Sequence, residues 1–453
     1  MSEIRPVIIG AGPAGIRAAE TLVAAGLRPV VVDEAFRFGG QIYRQPPQAL
    51  QRPGKALYGF EASKASAVHQ TMEALLPQID YRPNTLVWGT EGGSLNLLTA
   101  GQPDRLPYSH LILATGATDR VLPFPGWTLP GVYTLGGAQV SLKFQASVIG
   151  PRVAFIGTGP LLYLVAYQYL KAGADVAAVL DTAPFTGKLK ALPKLLGHLG
   201  TFAKGLYYMG VLAARGVTIR FGVRPLQAAG TERVEALYWR DRRGRQQKVA
   251  CDAIAWGLAL RSETQLADLL GCRFEFDSLN RNWLPTSDGF GRSSLAGVYL
   301  AGDGAGIKGA DAAELAGKRA ALALLADLHY PVDQDEVLGL KHKLDSFAGF
   351  REGLEQSFPF PQDWAKDLPD DLILCRCEEI TVGELRQAVH QDGVREINRL
   401  KALTRIGMGR CQGRICGTAA AECLARESGQ TLAAVGRLRA QPPIKPIPFM
   451  GGQ

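Results

Sequence analysis

The sequence predicts an α/β protein made of two strand–turn–helix–strand units, closed near its C-terminal end by a small helical module that carries four cysteines. Three observations predict it. Residues 6–34 set the pattern Gly10-x-Gly12-x-x-Gly15 between an apolar run and an alanine-rich stretch. Residues 152–181 repeat that order with fewer glycines. Cys375 and Cys377, then Cys411 and Cys416, stand in the segments CRCEEIT and GMGRCQGRIC.

In the first unit, Val7 to Ile9 reads as a buried parallel strand and Val30 to Val32 as its neighbour. Gly10 permits the tight turn. Gly12, followed by Pro13 and Ala14, lets the backbone approach a pyrophosphate, and Gly15 lets helix and strand pack closely. The helix N-terminus then offers free N–H groups and the positive end of its dipole to phosphate. Asp33, with Glu34 beside it, stands where an acid can bind both ribose hydroxyls of an adenosine. Strand, glycines, helix and acid together point to dinucleotide binding. The bland alternative is a glycine-tight unit with an empty pocket.

Three further segments extend this unit. Gly39-Gly40-Gln41-Ile42-Tyr43-Arg44 forms a loop after the acid. The strand at Leu111 runs into Thr115-Gly116. Another strand, from Val298, ends in Gly302-Asp303. Read alone, Asp303 is a helix N-cap for the alanine-rich run Ala310 to Ala326.

The second unit departs from the pattern. Gly157 and Gly159 remain, but Leu162 replaces the third glycine. By position Leu180 fills the slot of Asp33, with Asp181 one residue later, where a strand side chain turns to the other face. A retained scaffold is favoured over an NAD(P)H site, and another adenine nucleotide stays open.

Residues 331–370 carry prolines, acids and Trp364 and read as a linker with a helix in it. Thr381 and Glu384 then form a capping box. Soft thiolates at Cys375, Cys377, Cys411 and Cys416 suit either zinc or an iron–sulfur cluster. C-x-C is the less usual spacing for zinc, which favours the cluster. Arg405, Arg410 and Arg414 would stabilise thiolates there. Cys423 reads as a spectator. Cys251 and Cys272 are apolar-flanked core residues, so no redox cysteine pair stands near the glycine loops. The six histidines are scattered, and no catalytic set stands out.

With 453 residues the chain has room for about two to four domains. Its 50 basic residues face 42 acidic ones, a basic tilt that does not read as nucleic-acid binding. The densest basic stretch, Arg240 to Lys248, reads as a solvated hairpin tip around Gly244. No apolar run reaches the length of a transmembrane segment. The N-terminus opens into a strand without a signal peptide, and seven cysteines argue against a disulfide framework. The expected location is cytoplasmic, with peripheral contact at the inner membrane left open through a complex.

The glycine loop, GGQIYR, the strand into Thr115-Gly116 and the Gly302-Asp303 strand together resemble the two-dinucleotide-binding-domain flavoproteins of the glutathione/thioredoxin reductase type. That resemblance implies FAD, with the Asp303 carboxylate on its ribityl–pyrophosphate part. The cysteine segments resemble the bacterioferritin-associated ferredoxin-type domain, which implies a 2Fe–2S cluster. The C-x-x-x-x-C spacing departs from the C-x-x-C of many members. The implied fold class is therefore α/β, a two-dinucleotide-binding-domain flavoprotein with a small helical C-terminal 2Fe–2S module. Its expected parts are an FAD domain over 1–140 and 285–328, an NAD(P)-binding-like domain over 141–284, a linker over 329–370, the cluster module over 371–426 and a proline-bearing tail over 427–453.

Taken together, these features and the tail PPIKPIPF resemble the flavin/iron–sulfur, alpha-type subunits of heteromeric amino-acid and amine dehydrogenases. This group includes the A component of opine oxidase, the B component of hydrogen cyanide synthase and the alpha component of D-hydroxyproline dehydrogenase. The resemblance implies an amino-acid-oxidase-like catalytic flavoprotein partner, room for a small third subunit, a downstream electron acceptor and a second flavin, FMN, at a subunit interface. Pro442–Phe449 is expected to dock on that partner. A self-contained NAD(P)H-dependent reductase and a nucleotide-binding scaffold with structural zinc are the alternatives.

Overall fold

The computed structural model describes residues 4–195 and 199–448. The chain forms two compact units. One takes residues up to Thr118, Arg261–Phe347 and the chain from Arg439 onward. The other takes Asp119–Leu260 and Ala348–Leu438. The chain thus passes between units at Thr118/Asp119 and Leu260/Arg261, where sequence spacing set domain limits at 140 and 284.

The first unit is built on a five-stranded parallel sheet. Its order is Val298–Leu300, His110–Leu113, Pro6–Ile9, Val30–Val32 and Asp80–Arg82. The central strands are runs of β-branched and leucine residues because both faces are covered, and Val7, Ile8 and Val31 have no exposed surface. Helix Pro13–Ala24 starts with proline at its first turn, where a missing N–H costs nothing. Helix Ala310–Asp327 packs on it through small residues. A Cβ on Gly317 would run into the carbonyl of Ala14. An antiparallel meander, Thr85–Glu91, Ser94–Thr99 and Gln102–Pro107, adjoins the sheet.

The second unit repeats the plan in the order Ile219–Phe221, Asp175–Asp181, Arg152–Thr158, Ala253–Leu258 and Val132–Thr134. Its meander turns through Gly244, the expected hairpin tip. The cysteine module belongs to this unit. It consists of a short hairpin, Ile373–Cys375 with Ile380–Thr381, and the helices Val382–His390, Ile397–Thr404 and Gly417–Ser428. Both halves of the Thr381/Glu384 capping box are present. Leu374, Leu385, Ile397 and Leu424 share one hydrophobic core with Leu122, Leu237 and Trp256. Trp127 Nε1 donates to the Ile373 carbonyl at 2.8 Å, and Trp364 Nε1 donates to that of Pro123 at 3.0 Å. The module is therefore anchored by apolar burial and by the Trp127 indole, and the segment before it by the Trp364 indole; a hydrogen bond is the usual requirement for a buried tryptophan.

Candidate functional site

The first glycine loop has the geometry its spacing predicts. Gly10 has φ +105° and lies against the Ala114 carbonyl, and a Cβ on Gly15 would collide with the carbonyl of Gly10. Gly40, at φ +65°, approaches Gly12 so closely that a Cβ there would lie 2.9 Å from the Gly12 Cα. Ala14 packs beneath, against Gly302 and Gly317. Asp33 Oδ2 accepts the Ala11 amide at 2.5 Å, and Oδ1 accepts that of Ala35 at 2.7 Å. Burial raises the Asp33 pKa, and the two amides oppose that. Arg44 Nη2 donates to Gln41 Oε1 at 2.8 Å. Burial lowers the Arg44 pKa, and the field of Asp33 opposes the shift. Thr115 Oγ1 donates to the Glu263 carbonyl at 2.6 Å, and Gly116 takes φ +69°.

Asp303 is not the N-cap of the alanine-rich helix. That cap is Gly309, and Asp303 Oδ1 accepts the amides of Lys308 and Gly309 at 2.8 and 3.0 Å. Its carboxylate thus holds the turn before the helix, six residues ahead of the cap, because a 3₁₀ turn at Gly302–Ala305 intervenes.

The proline tail packs on this same unit. Ile444 is buried beside Val87 and Leu97, and its amide donates to the Trp88 carbonyl at 2.9 Å. Arg439 Nε and the Ala440 amide donate to Asp268 at 3.0 and 2.6 Å. Lys445 is ion-paired with Glu34. Of the tail expected on a partner, Ile444 and Lys445 pack on its own nucleotide fold, where Ile444 finds an apolar recess, whereas Pro446, Ile447 and Pro448 are exposed. Phe449 lies outside the described residues. Lys445 was not foreseen, and a lone lysine between prolines gives no local signal.

In the second unit the reading of Leu180 as the counterpart of Asp33 is corrected. The pairing of Arg152–Thr158 with Asp175–Asp181 shifts register between Val153 and Ala154, and Gly157 then stands opposite Asp181. In the first unit Ile9 stands opposite Val32, so the next pair is Gly10 with Asp33. The bulge absorbs the extra residue and restores the acid to its place. Asp181 Oδ1 accepts the Ala183 amide at 2.9 Å, as Asp33 accepts that of Ala35. The other oxygen differs. Asp181 Oδ2 accepts the Tyr163 hydroxyl at 2.5 Å and the Lys188 ammonium at 2.8 Å. Lys188 also lies 3.7 Å above the Phe358 ring. Burial pushes the Tyr163 hydroxyl far up and the Lys188 ammonium down, with Asp181 opposing the latter. The second acid is completely buried and already neutralised from within its own unit.

The four cysteines line one cavity of about 240 Å³, with Arg376, Ile415, Trp127, Tyr133 and Trp256 also on its wall. Cys416 hydrogen-bonds to Cys375 and to Cys411, and Cys377 to Cys411. The Cys416 bond brings the Cys375 thiol down to about 6, helped by the amides of Gly407, Glu378 and Cys377. Cys411 falls to about 5 through Cys416, with the Ile415 and Gly413 amides and Cys377 adding to it. Cys416, hydrogen-bonded to both, is raised well above the ordinary thiol value, and burial raises Cys377. The loop can aim these amides because Arg405, Gly407, Gln412 and Gly413 all take positive φ. Gly409 leaves room for Cys377, whose Cβ occupies the space a Cβ on 409 would need. Arg405 pairs with Glu378 at 2.8 Å. Cys423, Cys251 and Cys272 are buried elsewhere with raised pKa values. Among the described residues no set of three or more His, Cys, Asp or Glu side chains has the arrangement of a metal-ion site. The thiol hydrogen bonds run as a chain, Cys377–Cys411–Cys416–Cys375, which differs from four ligands closed about one centre. Trp127 and Trp256 carried no sequence signal for this cavity, since their place depends on the packing between module and sheet.

Comparison with known proteins agrees with this architecture. The family model for pyridine nucleotide-disulphide oxidoreductase matches residues 4–318, and that for the sarcosine oxidase A3 domain matches residues 373–451. The A component of opine oxidase from Agrobacterium tumefaciens (strain Ach5) is 36% identical, over 97% of this chain and 90% of its own. Hydrogen cyanide synthase subunit HcnB of Pseudomonas aeruginosa is 36% identical, over 99% of this chain and 98% of its own. The crystal structure of L-proline dehydrogenase from P. horikoshii superimposes with a TM-score of 0.73 at 22% identity, covering 99% of this chain and 80% of that one. The chain belongs to the family of the opine oxidase A component and hydrogen cyanide synthase subunit HcnB, alpha-type flavoprotein oxidoreductase subunits built on the pyridine nucleotide-disulphide oxidoreductase fold.

Proposed function

We propose that this chain is the electron-transferring FAD/2Fe–2S subunit of a heteromeric dehydrogenase. In that complex a partner flavoprotein subunit oxidises an amino acid, imino acid or amine to an imine. There the C–H hydrogen leaves with its electron pair, the N–H proton is lost and a C=N bond forms. The observation that carries the reading is the cysteine cavity, where two thiols are held towards thiolate and backbone amides are aimed at both. Thiolates with amide donors are the donor set of an iron–sulfur centre. The paired chain of sulfurs also suits two metals better than one.

When bound, FAD takes up an electron pair and a 2Fe–2S cluster passes electrons on singly. The chain's own residues bind and orient. Asp33 would hold the adenosine ribose, the Gly10–Gly15 loop and the helix behind it would hold the pyrophosphate, and Asp303 with Gly302 would hold the ribityl part. Gly40, Gln41, Arg44, Thr115 and Gly116 close that site. Cys375, Cys377, Cys411 and Cys416 would hold the cluster, while Trp127 and Trp256 keep water from it. The second nucleotide fold serves as scaffold, because Asp181 is spent on Lys188 and Tyr163. FMN belongs to an interface that a partner would share. Among the described residues no helix is long and apolar enough to cross a membrane.

Co-expression with an amino-acid-oxidase-like partner tests the reading. The complex should bleach its flavin absorbance anaerobically with an amine or imino acid, and the isolated chain should not bleach with NADH. Rapid bleaching of the isolated chain by NADH would replace this reading with a self-contained reductase.

A further inference from the structure

His69 stands outside the glycine motif, yet a run of hydrogen bonds leads from it to Asp33. It lies half-buried on helix Ala62–Leu75, with the rings of Phe38 and Tyr58 edge-on to its own at 6.0 and 5.9 Å. Its Nε2 meets the Tyr43 carbonyl at 2.9 Å. A carbonyl only accepts, so Nε2 carries the hydrogen. The Tyr43 amide donates to the Gly39 carbonyl at 3.3 Å, and the Gly39 amide donates to that of Ala11 at 2.8 Å. The Ala11 amide is in turn the one that Asp33 Oδ2 accepts.

Tyr58 adds a second donor from helix Gly54–Tyr58. Its hydroxyl lies 3.0 Å from the Arg44 carbonyl and 3.4 Å from that of Tyr43. Gly39 makes room for this clasp. At its φ of +111°, a Cβ would lie 2.5 Å from the Tyr43 oxygen and 2.8 Å from His69 Nε2. The Tyr43 side chain is completely buried, which anchors the same loop in the core. Between the held points Gly39 and Tyr43 stands Gly40, which closes on Gly12. A loop that meets a ligand works best when side chains of a rigid scaffold fix it, and here two helices supply them.

We propose that His69, helped by Tyr58, is a positioning residue of the flavin site: its hydrogen bond to the Tyr43 carbonyl holds the Gly39–Arg44 loop against the glycine loop and so keeps Ala11 and Asp33 in place for the cofactor. The inference rests on the FAD reading of that site and assigns it a residue that touches no part of the motif.

Two measurements on the full-length protein test it. One is hydrogen exchange of the peptide containing Gly39–Arg44, read by mass spectrometry without flavin. The other is FAD affinity by equilibrium dialysis. His69→Leu, which removes the donor and keeps apolar volume, should speed exchange there by about tenfold and weaken FAD binding by roughly threefold to tenfold. His69→Gln, whose amide nitrogen can donate to the same carbonyl, should restore both to within about twofold of the unmodified chain. Tyr58→Phe keeps the ring and should act in the direction of His69→Leu, so it carries the test if that variant does not fold. Three results would overturn the inference: exchange unaltered by both variants, faster exchange with unaltered FAD affinity, or a glutamine variant no better than the leucine one. FAD binding absent from the unmodified chain would overturn the flavin reading itself, and exchange in the flavin-free protein keeps the two failures apart.

Discussion

Lys445 is ion-paired with Glu34, 411 positions earlier in the chain and next to Asp33, whose carboxylate is set on the Ala11 and Ala35 amides. The tail thus lies beside the end of the strand that carries Asp33, held by the buried Ile444 and by Asp268. Truncation after Leu438 should lower the melting temperature and release flavin. Lys445→Ala should weaken FAD retention by roughly threefold to tenfold with little change in melting temperature, since it removes one partly exposed ion pair. Equilibrium dialysis with flavin fluorescence measures both. Retention unchanged in the truncated chain would mean that the tail has no bearing on the cofactor.

Asp33→Asn should cost more. The amide side chain preserves the volume but replaces a charged acceptor. Hydrogen bonds to charged groups contribute about 1.5–3 kcal/mol, which converts to roughly tenfold to hundredfold in FAD affinity. The protein should stay folded by circular dichroism. Full flavin content in this variant would remove Asp33 from the ribose site.

Asp181 and Lys188 form a buried pair, so breaking it is predicted to destabilise strongly. Lys188→Met leaves the Asp181 carboxylate with Tyr163 and the Ala183 amide, and should cost about 3–5 kcal/mol in urea unfolding. It should not create NADH-dependent flavin bleaching, because Tyr163 still occupies the same oxygen. A loss below about 1 kcal/mol would show the pair to be solvent-screened.

The thiol pattern gives a pH prediction for metal-free protein. Cys411 and Cys375 are lowered to about 5 and about 6, first by the Cys416 hydrogen bond. A lowered thiol pKa adds stability that is present above the unfolded value, near 8.5, and is lost as pH falls through the folded one. The module should therefore lose stability progressively as pH falls from about 8.5 to about 5. Alkylation by iodoacetamide, followed by peptide mass analysis, should still modify the half-exposed Cys411 at pH 6. An ordinary thiol is almost wholly protonated at that pH. A Cys411 midpoint near 8.5 would contradict the assignment.

These cases also show where the sequence is legible. Gly15 and the Thr381/Glu384 box are local devices. A helix that must touch a strand, or an N-terminus that must be capped, fixes the residue within a few positions. The four cysteines were legible as a set because thiolate chemistry needs that residue type. Lys445 was not legible, since its partner is reached only by tertiary packing of Ile444. Asp181 was misplaced because strand register, unlike helix spacing, is set by a bulge that leaves no mark in the residues. The cap role that Asp303 offered beside its cofactor role fails because the 3₁₀ turn at Gly302–Ala305, which sets it back from Gly309, is invisible in composition.

Metal analysis of the anaerobically purified protein tests the central claim most directly. A cluster on Cys375, Cys377, Cys411 and Cys416 predicts about two irons and about two acid-labile sulfides per chain, with an electron paramagnetic resonance signal after dithionite reduction. Replacing Cys411 with serine should abolish that signal. Zinc without iron or sulfide, in a protein that stays silent on reduction, would contradict it.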